Sequence, residues 1–270
     1  MRHAFCIVVG AARALTRGGT ARLSPRTIRA AATDAAATTA AAEHAKRVKA
    51  GVGPGGGASA DRVAHNVRQS QVFDEAAAYF ASPAASPPEV EAVLDALAAR
   101  VCAPSMADGI FRILDVGAGT GCLSRRYGAA ASGRAVVQGV DLSENMVAAA
   151  REKGGTGVSY ACADVVDFAA DYSGEPFDAV VFNACFGNVH SQSDVLAAAA
   201  SVLRPEGRAI VTHPLGADFV DELRAQDESV VPAGLPRSTD EMRALVGGVA
   251  LEPAELDDTI PYYSEWERSS

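Results

Sequence analysis

Ile113-Leu114-Asp115-Val116-Gly117-Ala118-Gly119-Thr120-Gly121 decides the fold of this 270-residue chain. Phe111, Ile113, Leu114 and Val116 form a short apolar run of the buried-strand type. Three glycines at alternate positions then let the backbone turn sharply and approach a ligand closely, because none carries a Cβ. A helix starting near Thr120 points its first N–H groups at whatever fills the turn.

Two kinds of glycine turn compete for this pattern. A dinucleotide site takes G-x-G-x-x-G with its pyrophosphate on the helix N-terminus. Here the spacing is G-x-G-x-G, and Cys122 stands where the third dinucleotide glycine would be. Asp115, two residues before the first glycine, would repel a pyrophosphate and suits a cationic ligand. Farther on, Val136-Val137-Gln138-Gly139-Val140 ends in Asp141, an acid placed at a strand end to hold a ribose diol. Asp164 follows a third apolar segment, Val158–Cys162.

Together these residues resemble the class I S-adenosylmethionine (SAM)-dependent methyltransferases, of the type 11-like kind, over roughly Phe111 to Pro214. The resemblance implies an α/β fold: a seven-stranded, mostly parallel sheet with helices on both faces, preceded by a helical N-terminal lid. It implies SAM as cofactor, with S-adenosylhomocysteine as product, and Gly117, Ala118, Gly119 and Gly121 framing its methionine and ribose. It puts Asp141 on the ribose hydroxyls, Leu142 and Met146 beside the adenine, Asp164 on the adenine amine with Val165 supporting the ring, and Asn183 at the end of strand four. Asp115 either meets the methionine ammonium or fixes the glycine turn. Met146 fits the core equally well.

Composition bounds the rest. The chain is 49% hydrophobic and 21% charged, an ordinary globular balance with enough residues for a sizeable core. No segment approaches the roughly 18 uninterrupted apolar residues of a membrane span. Five cysteines include no C-x-x-C pair, which speaks for free thiols and against a zinc site. No His/Asp/Glu cluster has metal-ligand spacing, so no metal is expected. The net charge is −9, but residues 1–50 carry nine Lys/Arg against Asp34 and Glu43. The remainder is strongly acidic, a poor partner for nucleic acid.

Arg2, Arg13, Arg17, Arg22, Arg26 and Arg29 precede the first acid, amid Ala, Ser and Thr. That is a transit-peptide composition. Residues 1–60 are therefore expected to be a transit peptide and a glycine-rich linker, for a plastid ahead of a mitochondrion; without import the protein is cytoplasmic. Residues 61–270 form the catalytic domain: a helical lid over 61–105, a cofactor-binding core over 108–215, and helices with a closing hairpin over 216–270. Ser86-Pro87-Pro88-Glu89 reads as a capping box. Val63, Val67, Val72, Phe73, Ala76 and Phe80 suit an apolar lid over the reactive centre, with Tyr79 and Phe80 either lining the site or in the core.

The loop after strand four, Asn183-Ala184-Cys185-Phe186, lacks the N-P-P-Y found in the family's base and amide N-methyltransferases. The resemblance therefore points to a small-molecule acceptor. His190 and His213, both expected at the catalytic rim, are the candidates for a general base. Strand five is expected over Ala209–Thr212, after an Arg204–Gly207 turn, and the hairpin over Val249–Asp257 and Thr259–Tyr263. Competing readings are a protein or RNA methyltransferase, a catalytically silent SAM-binding module and, more weakly, an NAD-binding dehydrogenase.

Overall fold

Phe111–Val116 is β1, the strand from which the sheet is built. The structure is a computed structural model and describes residues 59–103 and 109–269. The expected transit peptide and most of the linker lie outside the described residues. β1 pairs in parallel with β2 (Ala135–Asp141) and β4 (Phe177–Asn183). β3 (Val158–Cys162) extends the sheet beyond β2, and β5 (Leu203–His213) beyond β4. β7 (Tyr262–Arg268) runs antiparallel to both β5 and β6 (Leu251–Asp257), giving the order β3-β2-β1-β4-β5-β7-β6. The expected seven-stranded, mostly parallel sheet is present.

Alternation along the strands explains why both faces are covered. Leu114, Val180, Phe182 and Val211 pack on one side with α5 (Val165–Asp171) and α6 (Gln192–Val202). Ile113, Val181 and Ile210 pack on the other with α2 (Pro88–Cys102) and α3 (Cys122–Ala130). The α2 stripe Val90, Leu94, Leu97 and Val101 is buried as its spacing predicts, and Val93 is half-buried. α4 (Glu144–Lys153), α7 (Gly216–Gln226) and α8 (Thr239–Leu245) complete the layers, and α1 (Ala60–Phe80) lies before them all in sequence. Ser143, Ser191 and Ser238 cap α4, α6 and α8 through their side chains.

Three local expectations change. Ser86 does not cap α2: Pro87 occupies the cap position, no side-chain bond is made there, and Pro88 opens the helix. α6 ends at Val202, and β5 begins at Leu203, earlier than expected. The Arg204–Gly207 turn is an irregularity within β5, where the pairing jumps from Phe177↔Leu203 to Ala179↔Arg208 and Glu206 takes φ +61°. β7 starts at Tyr262 rather than Thr259. Pro261 cannot donate to a ladder, so the hairpin turn consumes it.

The hairpin is anchored by aromatic side chains. Tyr262 Oη donates to the Pro236 carbonyl at 2.7 Å, and the Arg100 guanidinium sits 3.7 Å over the Tyr263 ring. Both tyrosines are fully buried and hold the hairpin to its neighbours.

Candidate functional site

The turn after β1 is left-handed at all three glycines: φ is +64° at Gly117, +53° at Gly119 and +72° at Gly121. Gly121 is the N-cap of α3. The three are not equivalent. A Cβ on Gly117 would lie 2.6 Å from Cys185 Cβ, and one on Gly121 2.7 Å from Tyr160 Cζ. A Cβ on Gly119 would meet no atom within 4 Å. Gly117 and Gly121 are therefore needed by the fold, whereas Gly119 borders open space that a ligand can fill. Ala118 ties the turn to β2 through its N–H to the Val140 carbonyl, 3.1 Å.

Asp141 closes that space on one side. Its Oδ2 accepts from the Gly119 N–H at 2.8 Å and its Oδ1 from the Ser143 N–H at 2.9 Å. Burial pushes this carboxyl up to about 6, against the pull of those two bonds. Asp115 is 2% exposed and accepts from Ser124 Oγ on α3. That contact ties the strand before the turn to the helix after it, which supports the turn-fixing role over contact with an ammonium. Burial, aided by the nearby Asp141 charge, pushes Asp115 up to about 7.

These shifts set a pH dependence. An aspartate in the unfolded chain titrates at about 3.9, so the fold holds the Asp115 proton more tightly. Its contribution to stability is whole below about pH 4 and is lost as the pH rises through about 7. Asp115→Asn keeps an acceptor for Ser124 and removes the titration. Its melting temperature is expected to gain on that of the wild type between pH 4 and pH 8. A difference constant across that range would show that Asp115 does not titrate in the fold.

Asp164 is the N-cap of α5, accepting from the N–H groups of Val166 (2.9 Å) and Asp167 (3.2 Å). Val165 and Met146 are buried at 6% and 3% exposure, so Met146 is placed in the core. Leu142 is half-buried, and its carbonyl accepts from Cys162 Sγ. Asn183 Oδ1, at the end of β4, accepts from Thr212 Oγ1 at 3.0 Å. Burial pushes the Cys162 thiol up to about 12 and holds that of Cys185 well above the ordinary thiol value, leaving both as inert thiols at neutral pH.

α1 spans this rim, and its underside corrects the expectation of an apolar lid. Asn66, Gln69 and Ser70 are buried, along with Ala76 and Ala77. Arg62, His65, Asn66 and Gln69 stand at i, i+3, i+4 and i+7, one helical face, while Val63 and Val67 fall beside it. Each of the four bonds to a rim loop. Arg62 reaches Asp164 (2.5 Å) and Asp167 (2.7 Å), and Asn66 donates to Asp164 at 2.8 Å. His65 Nε2 donates to the Asn188 carbonyl at 2.7 Å, and Gln69 to that of Val230 at 2.8 Å. Farther along, Asp74 accepts from Ser143 Oγ (2.5 Å) and the Asn145 N–H (3.1 Å), and the Phe80 carbonyl from Thr120 Oγ1 (3.4 Å). Hydrophobic periodicity is blind to such a face; the polar i, i+3, i+4, i+7 pattern was the available signal. Tyr79 Oη donates only locally, to the Ala84 carbonyl, and Phe80 packs on Phe73 and Tyr79.

The two candidate bases occupy different loops. His190 is exposed, with its ring centroid 5.6 Å from that of His65 on α1. His213, at the end of β5, is 8% exposed, and burial pushes its imidazole down to about 4. Its Nδ1 lone pair accepts from the Leu215 N–H at 3.2 Å, so the proton of the neutral ring is on Nε2. His213 is thus a donor, and His190 is the candidate with a nitrogen lone pair to spare. No group of three or more His, Cys, Asp or Glu among the described residues could hold a metal ion. No helix among them is long and apolar enough to cross a membrane.

A family profile described as a methyltransferase domain matches residues 113–207, from β1 into β5. No curated protein sequence matches the chain. Among solved structures, the plantazolicin methyltransferase BpumL, solved in complex with SAH, is 12% identical over 76% of this chain and 96% of its own, with a TM-score of 0.53. A chain of the Haloferax volcanii complex containing the Trm112 methyltransferase activator is 20% identical over 68% of this chain and 78% of its own, TM-score 0.50. The magnesium protoporphyrin IX methyltransferase of Synechocystis is 17% identical over 86% of this chain and 95% of its own, TM-score 0.48.

Proposed function

We propose that this chain, which carries a methyltransferase domain of the class I SAM-dependent family, transfers the methyl group of SAM to a small-molecule acceptor. The observation that carries the reading is the open side of Gly119 next to the Asp141 carboxylate, within the matched domain. A cradle that only a glycine leaves free, edged by a half-buried acid with lone pairs remaining, fits a ribose and a methionine laid across the turn. SAM brings an activated methyl, so the protein need only bind, orient and exclude water.

Each element then has a task. Gly117–Gly121 and Asp141 hold the cofactor, with Leu142, Asp164 and Val165 on the adenine side. Asn183 completes the cofactor contacts, the loop from it to His190 faces the acceptor, and His190 takes its proton where an acidic hydroxyl reacts. α1 covers the rim through five anchored side chains, which favours an acceptor small enough to fit beneath a helix. The acidic body argues against an RNA acceptor. In this reading residues 61–270 form one catalytic domain, and residues 1–60 deliver it to an organelle, a plastid ahead of a mitochondrion.

The test is calorimetric titration of the full-length protein with SAM and, separately, NAD. SAM is expected to bind and NAD not. A hydrogen bond to a charged acceptor contributes about 1.5–3 kcal/mol, so Asp141→Ala is expected to weaken SAM by roughly ten-fold or more. Binding of NAD in place of SAM, or an Asp141→Ala protein with unchanged affinity, would refute the assignment.

A further inference from the structure

The C-terminal half of α1 reaches the glycine turn through one serine. Ser143 is fully buried and lies between two carboxylates. Its N–H donates to Asp141 Oδ1 at 2.9 Å, and its Oγ donates to Asp74 Oδ1 on α1 at 2.5 Å. The same Oγ accepts the Met146 N–H at 3.0 Å, so the hydroxyl both donates and accepts. Asp74 Oδ1 also takes the Asn145 N–H at 3.1 Å, and the Asp74 carbonyl accepts from Asn145 Nδ2 at 3.3 Å. On the far side, Asp141 Oδ2 accepts the Gly119 N–H at 2.8 Å. A continuous chain of bonds thus runs from α1 through Ser143 and Asp141 to the glycine that borders the open space. A second tie, from Thr120 Oγ1 to the Phe80 carbonyl at 3.4 Å, joins the end of the same helix to the turn itself.

Asp74 and Asp141 are like charges that share this serine. Burial is the main cause holding the Asp141 carboxyl up at about 6, and the Asp74 charge adds to it. Seating α1 on an empty turn therefore brings a second carboxylate towards Asp141 with nothing to offset it. A ligand hydroxyl donating to Asp141 draws on that charge and eases the repulsion. We propose that Asp74 is a positioning residue for the cofactor: from α1 it fixes the Asp141–Ser143 loop, so that filling the cradle and seating the helix strengthen each other. This rests on the SAM-dependent reading above and deepens it by naming the contact through which the lid registers its ligand. Linkage makes the effect reciprocal: whatever factor the seated helix adds to ligand affinity, the ligand adds to the seating of the helix.

The experiment titrates S-adenosylhomocysteine into the full-length protein by calorimetry and follows amide hydrogen exchange in α1 with and without it. The ligand is expected to slow exchange in α1 of the wild type. Asp74→Ala is expected to weaken binding by roughly ten-fold, an ordinary size for coupling between two sites, and to erase most of that protection. Asp74→Asn keeps an acceptor for Ser143 and Asn145 and is expected to restore most of the affinity. In an Asp141→Ala background, Asp74→Ala is expected to cost less than about two-fold more, because the chain is already cut. Asp74→Leu, of similar volume, replaces the alanine variant should that fail to fold, which a melting curve reports. Equal α1 exchange in the free and saturated wild type would overturn the proposal. Wild-type affinity in Asp74→Ala, or costs that simply add in the double variant, would overturn it by showing that Asp74 only tethers the helix. An Asp74→Asn protein as weak as Asp74→Ala would overturn it too, since the acceptor would then not be what matters. A wild type that fails to bind S-adenosylhomocysteine would instead refute the SAM-dependent reading itself.

Discussion

Gly119→Val is expected to abolish detectable SAM binding while the protein stays folded. The valine side chain meets no protein atom at its first carbon, since nothing lies within 4 Å of a Cβ at this position. The fold's only penalty is the left-handed φ of +53°, worth about 1–3 kcal/mol for a non-glycine residue. That is within the stability margin of a typical domain, about 5–15 kcal/mol. The ligand pays far more, because a β-branched side chain would stand in the space beside the Asp141 carboxylate. Calorimetric titration with SAM, paired with a melting curve, checks both halves. A folded variant with wild-type SAM affinity would disprove that the open side of the turn is the cofactor cradle. Gly121→Val is the contrasting control: its Cβ would collide with the Tyr160 ring, so its damage should appear in the melt.

Trp266→Ala is expected to cost about 3–5 kcal/mol, the range for emptying a large aromatic site in a core. Trp266 is fully buried on β7, near the Phe186 ring at 6.4 Å between centroids, and its indole N–H donates to the Met242 carbonyl at 3.2 Å. One side chain thus joins the hairpin to α8 and to the loop that follows β4. Substitution leaves a void and an unpaired carbonyl together. Equilibrium urea unfolding measures the loss; a change under 1 kcal/mol would show that the loop and α8 hold without it. Trp266→Phe, which keeps most of the volume, is the milder companion.

The sheet was legible in the sequence wherever a strand carries a continuous apolar run bounded by a glycine turn or an acid. β1 to β4 and their order of motifs came through for that reason. Asp115, Asp141 and Asp164 also stood out, because an acid at the end of a buried strand is unusual enough to mark. The lid did not come through in the same way. Val63, Val67 and Val72 led the reading of α1, but Asn66, Gln69 and Ser70 are buried instead: Asn66 and Gln69 donate to Asp164 and the Val230 carbonyl, and Ser70 donates back to the Val67 carbonyl of its own helix. Nor can spacing separate Gly119 from its two neighbours. All three have a positive φ, and only the atoms facing each one show that Gly117 and Gly121 serve the fold while Gly119 faces empty space. His65 escaped notice because its partner is a backbone carbonyl 123 residues away.

The order β5-β7-β6 has a consequence for the birth of the molecule. A ribosome delivers β6 before β7, yet among the described strands β6 is paired with β7 alone. Until the later strand slides between them, β5 is an open parallel edge and β6 is a strand without a sheet. Nascent chains at that stage carry an unprotected margin on which two copies can zip together. The interval between synthesis of Leu251 and of Arg268 is therefore when a holdase chaperone has the most to shield.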